Sequence, residues 1–253
     1  MRADIVRTEG LTVSFDGFRA LNRLDFSMQE GELRVVIGPN GAGKTTLLDA
    51  ICGKVVPDEG RTLFKGQDLR GMREHEIVHL GVGRKFQTPS VYRNHTVYEN
   101  LELAYKAQKT VFSTLFARRN PGLIEQIHRV LELIGLKERI HHRAGSLSHG
   151  EKQWLEIGMV IVQDPDLLLI DEPVAGMTDE ESAKTGELLI SIAQDQAILV
   201  IEHDMTFVRQ IARTVTVLHE GSLLCEGPVE QVQGDPRVIE IYLGRETQPR
   251  AKH

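Results

Sequence analysis

The sequence predicts an α/β fold in which a mixed core sheet carries an antiparallel β portion near its N-terminus and receives an inserted α-helical portion. Three observations carry this. Short apolar runs alternate with helical stretches in the first and last thirds. The first 66 residues read almost wholly as strands. From about residue 100 to 165 the pattern turns helical, with Ile124, Ile127, Leu131 and Ile134 on one face at a 3.6-residue period.

Along the chain, Leu11 to Phe15 alternates as a strand, Asp16-Gly17 supplies a tight turn, and Leu21 to Met28 returns. Leu33 to Ile37 is an unbroken apolar strand, expected where both faces of a sheet are covered. Lys44 to Cys52 follows as a helix, and Pro57 to Gly60 turns the chain into the strand Arg61 to Lys65. Asn120-Pro121-Gly122 interrupts the helical middle, and Asp164-Pro165 ends it. Strands then recur at Leu167 to Ile170 and Ile198 to Ile201. Between them lies a helix of about 16 residues, which Thr178 and Glu181 open as a capping box. Glu220-Gly221-Ser222 joins Val215 to His219 with Leu223 to Cys225 as a hairpin. The expected division is one domain over 1–253, with a core of 1–87 and 166–253, a helical portion of 88–165, and a polar, mobile tail of 248–253.

Composition narrows the function. A net charge of −6 over 253 residues argues against a nucleic-acid partner, whose grip depends on Lys and Arg. The two cysteines, Cys52 and Cys225, form no CxxC pattern and suggest neither zinc nor a redox pair. No apolar run approaches the ~20 residues that span a bilayer. The N-terminal MRADIVRTEG lacks the apolar stretch of a signal peptide.

Gly38-Pro39-Asn40-Gly41-Ala42-Gly43-Lys44-Thr45, followed by Thr46, matches G-x4-GK[ST] between an apolar strand and a helix. Glycines there let backbone N–H groups close around phosphates, and the helix N-terminus adds its positive end. Lys44 is placed to reach the β- and γ-phosphates of ATP, and Thr45 to offer a hydroxyl to Mg2+. Leu167 to Ile170 ends in Asp171-Glu172. Carboxylates at a buried strand end are costly without a cation or metal beside them, and strand C-termini are where such sheets bind ligands. Asp171 is expected to hold Mg2+, and Glu172 to polarise the attacking water. His203 follows another strand and precedes a helix capped by Asp204, within reach of the same phosphate. The other nine histidines, including His141-His142, are read as structural; none shows HExxH spacing.

Five further segments, in order, resemble the ATPase domain of ABC transporters, a P-loop NTPase fold. Phe15 stands where an aromatic ring stacks on adenine. Gln87, in Lys85-Phe86-Gln87, matches the Q-loop, which the resemblance assigns to sensing Mg2+ and the membrane partner. Leu147-Ser148-His149-Gly150-Glu151 is similar to the LSGGQ signature, whose Ser148 and Gly150 would contact the γ-phosphate bound by a partner subunit. Ala175 to Thr178 matches the D-loop, and Glu202-His203-Asp204 the H-loop. His149 and Glu151 replace the usual Gly and Gln, and Thr178 replaces the usual Asp; Thr178 reads better as a helix N-cap.

The resemblance implies a cytoplasmic subunit, peripheral on the inner face of the cell membrane, that binds ATP and Mg2+. It would pair with a homologous ATPase subunit or with itself, serve two membrane permease subunits, and act indirectly with an extracytoplasmic solute-binding protein. Residues 172–181, 83–91, 153–158 and 235–244 are similar to the urea-importer (UrtD) branch. The expected solute is therefore urea or a short-chain amide. Branched-chain amino acid importers (LivG) are the alternative, and a soluble ABC ATPase without a transport role is a third reading.

Overall fold

The computed structural model describes residues 3–85, 91–107 and 121–243. Gln87 and the tail 248–253 lie outside the described residues.

The chain opens with strands β1 (Asp4–Phe15) and β2 (Phe18–Gln29), which pair antiparallel across Asp16-Gly17. Both turn residues have positive φ, 47° and 84°, the combination a two-residue hairpin needs to match strand twist. β4 (Glu59–Phe64) and the short β5 (Gln67–Asp68) complete a four-stranded antiparallel sheet in the order β2-β1-β4-β5. β1 starts earlier than the sequence predicts, because alternation is broken around Gly10, where the register shifts between Thr8 and Leu11.

The core sheet contains β3 (Leu33–Ile37), β6 (Val82–Lys85), β7 (Leu167–Asp171), β8 (Ala197–Ile201), β9 (Thr214–His219) and β10 (Ser222–Gly227). Their order is β10-β9-β3-β8-β7-β6. All neighbouring pairs are parallel except β9 with β10, so the sheet is mixed, as expected. Period-2 alternation divides its residues between two cores. Leu33, Val35, Ile37, Leu168, Ile170, Ile198 and Val200 face one layer. Val36, Leu167, Leu169, Leu199 and Ile201 face the other.

Helix α1 (Lys44–Ile51) lies on the second layer with the β1–β2 sheet, through buried Leu47, Leu48 and Ile51. A short helix, α2 (Glu74–His79), precedes β6. On the other layer, α3 (Val97–Ala107), α4 (Pro121–Leu133) and α5 (His149–Ile161) lie in sequence between β6 and β7. Pro121 opens α4, where its missing N–H costs nothing. Ile127, Leu131 and Ile134 are buried as the period predicts; Ile124 is only half-buried, and Leu123 and Val130 share the face. The chain continues through α6 (Asp179–Ile192), α7 (Met205–Ile211), α8 (Val229–Gln233) and α9 (Pro236–Leu243). Among the described residues, no helix is long and apolar enough to cross a membrane.

β6 was not legible as a strand. It is short, and it contains Arg84 and Lys85, which a sequence reading sends to the surface. Lys85 is buried and the Arg84 side chain is largely covered: Arg84 Nη1 bonds Asp49 Oδ1 on α1 at 2.6 Å, and Lys85 Nζ lies 3.8 Å from Glu156 Oε2 on α5.

A candidate functional site at the strand ends

The C-terminal ends of β3, β7 and β8 converge at one edge of the core sheet, the position where parallel sheets bind ligands. β3 leads into the loop 38–43 and then α1. Gly43, at φ 98°, is the N-cap of α1, and a side chain there would run into the Ala20 carbonyl and Leu21. Gly38 is confined likewise: a Cβ would collide with the Leu218 carbonyl. These glycines let the loop press against β2 and β9 while its outer rim stays open.

A cleft of about 410 Å³ opens over this loop, a volume suited to a small ligand. Phe15, Asn40, Gly41, Ala42, Gly43, Lys44, Thr45, Thr46 and Glu172, all expected site residues, line it. Phe18, Ala20 and Ile201 line it too, and sequence reading missed them. Phe18 was within reach: it pairs directly with Phe15 across the hairpin turn that Asp16-Gly17 announces.

Lys44 Nζ donates to the carbonyls of Gly38 (2.8 Å) and Pro39 (3.1 Å), so the ammonium is held over the loop. Burial lowers its pKa, and the carboxylates of Glu172 and Asp171 pull the other way. Thr45 Oγ1 donates to Asp171 Oδ2 at 3.2 Å, linking the first turn of α1 to the end of β7. Asp171 is buried, whereas Thr45 is exposed to the cleft. A hydroxyl and a carboxylate so placed are the hard oxygen donors that Mg2+ takes alongside phosphate oxygens, so the residues present fit the ion.

Glu172 follows at φ 48°, a left-handed conformation uncommon for a side-chain-bearing residue. Its amide donates to the Ile201 carbonyl at 3.0 Å, which anchors this turn to β8. His203 Nδ1 lies 3.5 Å from Glu172 Oε1. Beneath them Glu202 is buried, and its carboxylate accepts the amides of His203 (2.9 Å), Asp204 (3.3 Å) and Val174 (3.5 Å). Burial raises its pKa against the pull of those three amides. Asp204 caps α7 as expected, accepting from the amides of Thr206 and Phe207. Lys44, Thr45, Asp171, Glu172 and His203 are thus gathered in one place.

Ser148 and Gly150 are not among the residues lining the cleft. They form the start of α5, where Ser148 is the N-cap. Ser148 Oγ accepts the Glu151 amide at 3.1 Å, and Glu151 Oε2 accepts the Ser148 amide at 2.9 Å. Glu151 at this position therefore completes a capping box. Thr178 caps α6 in the same manner with Glu181. His149 Nε2 faces the Ala175 carbonyl at 3.1 Å.

Comparison with known proteins identifies the family. The family model for ABC transporters matches residues 21–175, and that for branched-chain amino acid ATP-binding cassette transporters matches residues 222–247. The chain is 36% identical over 253 residues to the high-affinity branched-chain amino acid transport ATP-binding protein LivG of Escherichia coli (strain K12), covering 96% of this chain and 99% of that protein. It is 34% identical over 245 residues to the probable LivG of Archaeoglobus fulgidus, covering 95% of each. A solved ATP-binding cassette of an ABC transporter, in its ADP conformation, superposes with a TM-score of 0.85 at 31% identity, covering 95% of this chain and 99% of that one. The chain therefore belongs to the ABC transporter family, as an ATP-hydrolysing, ATP-binding subunit of the branched-chain amino acid (LivG) type.

Proposed function

We propose that this subunit powers solute import by closing on ATP with a second ATPase subunit and reopening after hydrolysis. The observation that carries the reading is one cleft lined by Lys44, Thr45, Glu172 and the exposed aromatic Phe15, with Asp171 hydrogen-bonded to Thr45 and His203 beside Glu172. Phe15 stacks on the adenine, and the amides of the loop 38–43 with Lys44 hold the phosphates. Thr45, Asp171 and Gln87 would hold Mg2+, which would supply positive charge to offset that of the phosphates. Glu172 orients and polarises the attacking water, and His203 steadies the γ-phosphate. Water adds to the γ-phosphorus, the bond to the β-phosphate oxygen breaks, and ADP and phosphate leave.

Ser148 and Gly150 lie away from the cleft of their own chain, which supports their use on the ATP of a partner. The γ-phosphate then joins two subunits, and its loss releases them. In this reading residues 1–87 and 166–253 form the nucleotide-binding core, and 88–165 the portion that meets two membrane permeases from the inner face. An extracytoplasmic solute-binding protein delivers the cargo.

For the solute, the names of the relatives favour branched-chain amino acids over urea. Urea stands as a second reading, on the likeness of residues 172–181 and 83–91 to that branch. Uptake of labelled leucine and labelled urea by cells carrying Glu172→Gln tests both. Loss of leucine uptake alone supports the first reading, and loss of urea uptake alone the second. Lys44→Ala tests the cleft itself: ATP binding measured by calorimetry should fall by about tenfold or more, and unchanged binding contradicts the assignment.

A further inference from the structure

The signature turn is occupied by a carboxylate of its own chain. Ser148 Oγ donates to Glu181 Oε1 at 3.2 Å. The Gly150 amide faces the same carboxylate, and a side chain on Gly150 would run into it. These are the two groups expected to grip a partner's γ-phosphate. A hydroxyl has one proton to donate. While Ser148 spends it on Glu181, a phosphate oxygen cannot receive it. A carboxylate and a γ-phosphate at one helix start also repel each other.

We infer that Glu181 sets the affinity of this subunit's signature turn for a second subunit's ATP: its carboxylate fills the anion seat made by Ser148 and Gly150, and the γ-phosphate enters only by displacing it. The inference rests on the two-subunit reading above. Glu181 is suited to such exchange because its second anchor survives release. Its Oε2 accepts the Thr178 amide at 3.2 Å and the Thr178 hydroxyl at 3.4 Å, so the cap of α6 stays intact when Ser148 turns away. The contact between His149 and the Ala175 carbonyl spans the same gap and keeps the starts of α5 and α6 together. The seat is thus tied to the segment that follows Glu172.

The test is steady-state ATP hydrolysis by the purified full chain, with ADP affinity by calorimetry. Glu181→Gln removes the charge but keeps a residue that capping boxes accept. Its KM for ATP should fall about fivefold, the scale of one solvent-exposed charge contact, with kcat little changed. ADP has no γ-phosphate, so its Kd should not move. Glu181→Asp, one methylene shorter, withdraws the carboxylate from Ser148 and should lower KM as well. A KM for ATP that stays or rises in both variants overturns the inference. So does an equal fall in ATP KM and ADP Kd, which would place the effect in the subunit's own cleft. Ser148→Ala separates the two levels. Turnover unaffected by it overturns the two-subunit reading itself. Turnover lost by it, with KM unmoved in the Glu181 variants, overturns only the role of Glu181.

Discussion

Thr45 and Asp171, 126 residues apart in the chain, are joined by one hydrogen bond of 3.2 Å from the Thr45 hydroxyl to Asp171 Oδ2. This bond links the first turn of α1 to the end of β7, the two elements to which phosphate binding and catalysis are assigned in the proposed function. Thr45 and Asp171 are two of the residues that would hold Mg2+ in the proposed function. Chelation with excess EDTA should abolish phosphate release and leave the fold intact by circular dichroism. Asp171→Asn should lower turnover by about a hundredfold or more even in saturating Mg2+. Full activity in EDTA would refute a metal at this pair.

Glu172 sits at φ 48° with His203 Nδ1 3.5 Å from its carboxylate. Such a conformation persists only where surrounding contacts impose it, here the bond from its amide to Ile201. Glu172→Gln preserves shape and removes the base. ATP affinity should remain within about twofold, while phosphate release slows by about a hundredfold or more. Size-exclusion chromatography with ATP should then reveal a stable dimer. Near-normal turnover would remove Glu172 from its role.

Glu202 gives a pH-dependent prediction. Burial raises its carboxyl above the usual 4.5, although three backbone amides and nearby His203 favour the charged form. Between 4.5 and the raised folded value, the folded chain keeps a proton that the unfolded chain has released. Stability contributed by this group therefore declines as the pH rises through that window. Urea unfolding of wild type and Glu202→Gln should show a difference that shrinks from pH 4.5 upward. The variant should also carry a pH-independent loss of about 1–3 kcal/mol, because its amide group faces backbone donors. A difference that grows with pH contradicts this.

Arg84 joins β6 to α1, bonding Asp49 Oδ1 at 2.6 Å and Cys52 Sγ at 3.0 Å with its side chain 7% exposed. Arg84→Ala leaves Asp49 without this partner and should cost about 3–5 kcal/mol, read by urea unfolding. Arg84→Lys should recover only part of that, since an ammonium lacks the planar fork of a guanidinium. A loss under about 1 kcal/mol would class the pair with exposed surface bridges.

Much of the fold was legible because its signals are local. The helix starts at Thr178 and Asp204 were readable from cap chemistry, which needs only neighbouring residues. The hairpin at Asp16-Gly17 was readable from turn chemistry. β6 was not, because its charged residues find partners from α1 and α5 that no window of sequence displays. The antiparallel edge strand β10 was readable as a hairpin arm, but its place beside β9 at the end of a parallel sheet was not.

The sequence by itself determined the chemistry available to this protein: a phosphate-binding loop at 38–45, a carboxylate pair at 171–172, a histidine at 203 and a signature turn at 147–151. The loop and the carboxylate pair are legible from residue type and spacing, whereas the role of the signature turn is what the family resemblance implies. Only the tertiary structure decided which of them meet. The strand order β9-β3-β8-β7 sets the ends of β3, β7 and β8 side by side, so Lys44, Thr45 and Glu172 line one cleft, with Asp171 bonded to Thr45 and His203 beside Glu172. The same packing sets Ser148 against Glu181, outside that cleft. Sheet order and helix docking come from burial of two apolar layers summed over the whole chain, and no single motif encodes that sum.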